Sequence, residues 1–124
     1  MPSDPRRILV ADDETQMCRL VRDSLKTSGY AVDIARDGRM LLRHYQSGDY
    51  SLLILDTLLV QASGLEVVMK LRDRGDPVPI ILMFGREPYR VDPFAFTYRV
   101  DVLRKPFGLG DLRNAVRRAL GETD

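Results

Sequence analysis

The sequence has one cysteine, one histidine and no tryptophan in 124 residues. With Cys18 alone, an internal disulfide is excluded, which fits a reducing compartment. His44, on the second predicted helix and near the surface, has no metal or catalytic partner in the sequence and reads as structural. No run of 18 apolar residues occurs, so no transmembrane helix is expected. The start, MPSDPRR, lacks the apolar stretch of a signal peptide. The net charge of +1 gives no field for nucleic acid or a membrane surface. There is no repeat and no low-complexity tract. The expectation is a cytoplasmic domain that binds neither nucleic acid nor membrane directly.

What is present suits an ordinary globule, with 44% hydrophobic and 30% charged residues. The length fits one domain, read as residues 7–121 behind a disordered extension at 1–6. Strand and helix patterns alternate. RILVA at 7–11, YAVDIA at 30–35, SLLIL at 51–55 and PIILMF at 79–84 read as strands, with a weaker fifth, VDVLR, at 100–104. The first helix carries Met17, Leu20, Val21 and Leu25 at helical spacing, with Cys18 beside that stripe and Gly29 as a C-cap. A second helix at 38–47 buries Leu41, Leu42 and Tyr45. Ser63 and Glu66 form a capping-box signature for a third, which buries Leu65, Val68 and Leu71. The last helix carries Leu109, Leu112, Ala115, Val116, Ala119 and Leu120, and its Arg113, Arg117 and Arg118 read as a solvated face.

The stretch 86–99 is ambiguous. Pro88 and Pro93 forbid one continuous helix. Phe94, Phe96 and Tyr98 alternate like a strand, yet the alternation elsewhere demands a crossover. A short helix starting at Pro93, capped by Asp92, is therefore expected. Whether those aromatics face the core or the solvent stays open. The whole reads as an α/β fold: a doubly wound, five-stranded parallel sheet with helices on both faces.

In such a sheet, sites lie beyond the carboxyl ends of the strands. Asp12 and Asp13 close the first strand, Asp56 the third, and Lys105, followed by Pro106, the fifth. Parallel strands bring all four side chains to one edge. Crowded carboxylates call for a hard cation, and Mg²⁺ suits a few carboxylate oxygens plus water. A lysine beside them offsets charge and can hold a phosphoryl oxygen. Asp56 is placed to act as a nucleophile toward phosphorus.

With ILVADDE, LLILDTLLVQASGLE and VLRKPF in these places, the chain resembles the receiver domains of two-component response regulators from Arg7 to about Leu120. The resemblance implies a flavodoxin-like sheet of order 2-1-3-4-5. It implies a phosphoryl acceptor, Asp56, rather than an enzyme, served by Lys105. It implies Mg²⁺ held by Asp13 and Asp56, by Asp12 through water, and by the Leu58 carbonyl. Pro106 resembles the proline that fixes the lysine's loop. The implied partners are a histidine kinase or phosphotransfer protein, and an output domain or protein meeting the 92–120 face.

The pattern breaks at three places. Phe84 stands where the family has Thr or Ser, followed by Gly85 at a small-residue position. Val102 stands where it has Tyr or Phe, and Val60 where proline is common. A phenyl ring cannot bond a phosphoryl group. One reading is compensation, Phe84 filling the space Val102 leaves, with phosphorylation retained and its coupling to the surface weakened. The alternative is a phosphorylation-independent interaction module. A flavodoxin-type cofactor site is disfavoured by DDETQM after the first strand, which lacks a phosphate-binding loop. A haloacid-type phosphatase is disfavoured by Leu58, where a second acid would be needed.

Overall fold

The computed structural model describes residues 5–59, 61–85, 87 and 90–122. Val60 and Pro88, singled out in the sequence, lie outside the described residues, as do residues 1–4 of the N-terminal extension. Five strands, β1 (Arg7–Ala11), β2 (Ala31–Ala35), β3 (Leu52–Asp56), β4 (Ile80–Phe84) and β5 (Asp101–Arg104), alternate with five helices, α1 (Thr15–Thr27), α2 (Gly38–Ser47), α3 (Gly64–Asp73), α4 (Asp92–Tyr98) and α5 (Leu109–Ala119). All pairings are parallel, in the order β2-β1-β3-β4-β5. The expected flavodoxin-like order is therefore present.

The unbroken apolar runs are explained by burial on both faces. Every residue of β3 is buried. On one face Leu53, Leu55 and Leu82 meet Leu41, Val67, Val68 and Leu71. On the other, Ile54, Ile81 and Met83 meet Cys18, Val21, Leu25, Leu112 and Val116. Each such aliphatic side chain contributes about 1.5–3 kcal/mol of transfer free energy.

At α3 the expected cap is present: the Ser63 hydroxyl accepts the Glu66 N–H at 3.2 Å. Gly29, at φ +99°, supplies the left-handed residue that ends α1. Three expectations are corrected. In α1, Val21 and Leu25 are buried as expected and Met17 packs partly buried against the same cluster, but Leu20 is exposed, and Cys18, expected beside the stripe, is buried within it. Leu109 is exposed as the first residue of α5, ahead of the sheet. Asp92 does not cap α4: it is the helix's first residue, and Val91 holds the cap position with Pro93 in the first turn. The period-two aromatics also resolve. Phe94 and Tyr98, four residues apart on a helix, stack at 4.6 Å against the core, and Phe96 is 88% exposed.

Arg72 braces the end of the sheet away from the aspartates. Its guanidinium donates to four backbone carbonyls, those of Tyr98 (2.8 Å), Asp76 (2.8 Å), Val78 (2.9 Å) and Arg99 (3.2 Å). One side chain thus joins α3, the approach to β4 and the end of α4.

Cys18 lies in the core, and its thiol donates to the Asp12 carbonyl at 3.1 Å. Burial first, and the Asp12 carboxylate next, push the thiol from 9.0 up to about 11. Over that interval the native state keeps a proton that the unfolded chain releases, so this thiol's share of stability is lost as pH rises. At about pH 8, an aromatic disulfide reagent is expected to modify Cys18 only after the chain is unfolded in guanidinium. Rapid modification of the native protein would contradict this packing.

Candidate functional site

The register brings three chain segments to one edge. Ala11 pairs with Leu55, and Asp56 with Met83, so the segment after β1 and the end of β3 emerge side by side. Asp12 and Asp56 are buried, while Asp13 is exposed. Carboxylate oxygens of all three lie within 4.8 Å of one another. This donor set is hard, anionic and all oxygen, and it fits Mg²⁺ better than a softer metal.

Both buried carboxylates are oriented. Asp12 Oδ1 accepts the Glu14 N–H at 3.0 Å, and Asp56 Oδ1 accepts the Leu58 N–H at 3.0 Å. Their other oxygens converge on Lys105, whose Nζ donates to Asp12 Oδ2 at 2.7 Å and to Asp56 Oδ2 at 2.8 Å. Burial raises the Asp12 carboxyl above its ordinary range, partly opposed by the Lys105 hydrogen bond. Burial works against the Lys105 charge, but the hydrogen bonds it donates to both carboxylates outweigh it and its pKa is raised. The lysine therefore stays charged between two anions. The peptide bond from Lys105 to Pro106 is cis.

A cleft of about 370 Å³ opens over Asp56 and Lys105, with Leu58, Gly85 and Glu87 on its walls. A family model for the response regulator receiver domain matches residues 8–117. The chain belongs to that family. This receiver is 35% identical over 120 residues to the response regulator MprA of Mycolicibacterium vanbaalenii, covering 96% of the chain and 52% of that protein. It is 35% identical over 115 residues to the uncharacterized transcriptional regulatory protein YkoG of Bacillus subtilis, covering 91% and 50%. The receiver thus spans about half the length of the curated relatives it matches. Among solved structures, TrrA of Thermotoga maritima in complex with Mg²⁺ and beryllofluoride is 34% identical, with a TM-score of 0.82 and coverage of 93% and 99%. The chemotaxis protein CheY4 of Vibrio cholerae is 25% identical, with a TM-score of 0.83 and coverage of 94% and 99%.

Phe84 and Val102 sit on the neighbouring strands β4 and β5. Leu82 pairs with Val102, and Phe84 follows Leu82 on the same face. Phe84 and Val102 both pack, partly buried, against the core beneath α3 and α4. A methyl group on Gly85 would meet Lys105 Cβ at 3.7 Å, an ordinary contact, so a small side chain would fit there. His44 is half-buried on α2 and takes no part in the aspartate cluster, and Arg113, Arg117 and Arg118 are exposed on α5.

Two residues at the site went unread in the sequence. The buried Thr57 hydroxyl donates to Glu87 Oε1, and the Gly85 N–H donates to Glu87 Oε2 at 2.8 Å. The signal available was an acid three residues beyond the end of β4, with a hydroxyl directly after Asp56.

Proposed function

We propose that the domain takes a phosphoryl group on the Asp56 carboxylate, in a Mg²⁺-dependent reaction, from a partner histidine kinase or phosphotransfer protein in the cytoplasm. The observation that carries this reading is the Lys105 bridge between Asp12 and Asp56, with Asp13 within reach. An Asp56 oxygen attacks phosphorus, the new P–O bond forms, and the bond to the donor breaks with its electron pair leaving on the donor. Asp56 Oδ1 is already aligned by the Leu58 N–H, which fixes the attacking group. Lys105 supplies positive charge where phosphoryl oxygens arrive. Asp12, Asp13, Asp56 and the Leu58 carbonyl would hold Mg²⁺, which when bound neutralises charge on the carboxylates and the incoming phosphoryl group.

Phe84 offers no hydroxyl, so one hydrogen bond to a charged group is missing, about 1.5–3 kcal/mol of coupling. Output through the 92–120 face, to an attached domain or a separate protein, is therefore expected to be weakly coupled to that position. The test is incubation with Mg²⁺ and acetyl phosphate, followed by intact mass. The wild type should gain one phosphoryl group, acetate being released, and Asp56→Asn should gain none. An unchanged wild-type mass would reject the reading in favour of a phosphorylation-independent interaction module.

A further inference from the structure

The acceptor cleft already contains an anion supplied by the chain itself. Glu87 lines the same cleft as Asp56 and Lys105. Its carboxylate spans the ends of two neighbouring strands. One oxygen takes the backbone N–H of Gly85, just past β4, at 2.8 Å. The other takes the hydroxyl of Thr57, just past β3 and 99% buried.

A carboxylate on two such donors is firmly held, because hydrogen bonds to an ionised group are about twice as strong as neutral ones. The Gly85 N–H is also one of the few donors in this cleft, together with the Leu58 N–H and Lys105. An anion carried on Asp56 would draw on these same groups. Two anions compete for them, and they repel each other at close range.

Building on the proposed phosphorylation of Asp56, we infer that Glu87 is a resident competitor of the phosphoryl group. In the uncharged protein it occupies the Gly85 amide, with Thr57 as its anchor. Phosphorylation of Asp56 expels its carboxylate from that amide. The displaced Glu87 carries the response that a hydroxyl at position 84 would otherwise give. Glu87 also slows the arrival of anionic donors, since one negative charge stands at the cleft wall.

The test compares the wild type with Glu87→Gln, Glu87→Ala and Thr57→Val. Acetyl phosphate and Mg²⁺ are the probe, intact mass gives the rate at Asp56, and the Gly85 amide resonance is followed throughout. Glu87→Gln and Glu87→Ala should be phosphorylated about fivefold faster, the effect of removing one charge at short range. Thr57→Val should move in the same direction by less. Without phosphodonor, the Gly85 amide proton should shift upfield in Glu87→Ala. Beryllofluoride should move that resonance less in the wild type, where one anion replaces another at the amide, than in Glu87→Ala, where the amide starts without one.

Equal or slower phosphorylation of the Glu87 variants would overturn the inference while leaving Asp56 as acceptor. So would a Gly85 resonance indifferent to Glu87. A wild type that takes up no phosphoryl group would overturn the function proposed above, and the competition with it.

Discussion

Lys105→Met is expected to destabilise the fold by about 2–3 kcal/mol at neutral pH, below the usual figure for a broken buried pair because the lysine is partly exposed. The lysine bonds two carboxylates at 2.7 and 2.8 Å, and one of them, Asp12, is 99% buried. Without it, Asp12 keeps its desolvation and loses its compensation. The sign with pH follows from Asp12, whose carboxyl already lies above its ordinary range. In the variant it rises further, so the native state binds a proton more tightly than the unfolded chain. The deficit is therefore complete above that raised value and shrinks as pH falls through it. Urea unfolding at about pH 7 and about pH 5 reads this directly, and an equal deficit at both would contradict it. Added Mg²⁺ should restore part of the stability by binding only the folded state. The rate of phosphorylation by acetyl phosphate should fall about a hundredfold, the scale of losing one charge-stabilising donor.

Gly64→Ala should be at least as damaging, although alanine is the better helix former by about 1 kcal/mol. Gly64 opens α3, and its N–H donates to the Thr57 carbonyl at 3.2 Å. A Cβ there would collide with the Asp56 carbonyl oxygen and approach Asp56 C at 3.0 Å and Thr57 Cα at 3.1 Å. These are backbone atoms at the end of a fully buried strand and have nowhere to move. The expected loss is about 3 kcal/mol, at the upper end for overpacking. The strain falls on Asp56 itself, so any fraction that folds should also be phosphorylated more slowly. Gly85→Ala is the control: its methyl meets only Lys105 Cβ at 3.7 Å, and stability should stay within about 0.5 kcal/mol of wild type. Thermal melts of the two variants side by side give the comparison. A Gly64→Ala protein as stable as wild type would mean that α3 can shift away from β3.

These two residues also mark what could be read from the sequence. Asp12, Asp13, Asp56 and Lys105 were legible because strand periodicity places each at a strand end, and a parallel sheet brings those ends to one edge. Ser63 was legible because a cap acts within one turn. The Gly64 requirement was less so, since it depends on how closely the start of α3 doubles back onto the end of the preceding strand, β3. Asp92 illustrates the limit of local signals: a good capping residue next to a proline was displaced by Val91, whose burial decides where α4 begins. Leu20 shows the same limit: an apolar residue at helical spacing stays exposed at the margin of the docked stripe, while Cys18 lies inside it. Glu87 was invisible because its partners, Thr57 and Gly85, come from two strands that meet only in the folded sheet.

Arg72 has a mechanical consequence. By gripping the carbonyls of Tyr98 and Arg99, it fastens the far end of α4 to α3 and to the approach of β4. The near end of that helix begins at Val91 and Asp92, four and five residues after Glu87. Any displacement of α4 would therefore pivot about its Arg72-held end, and the exposed ring of Phe96, midway along the helix, would travel with it.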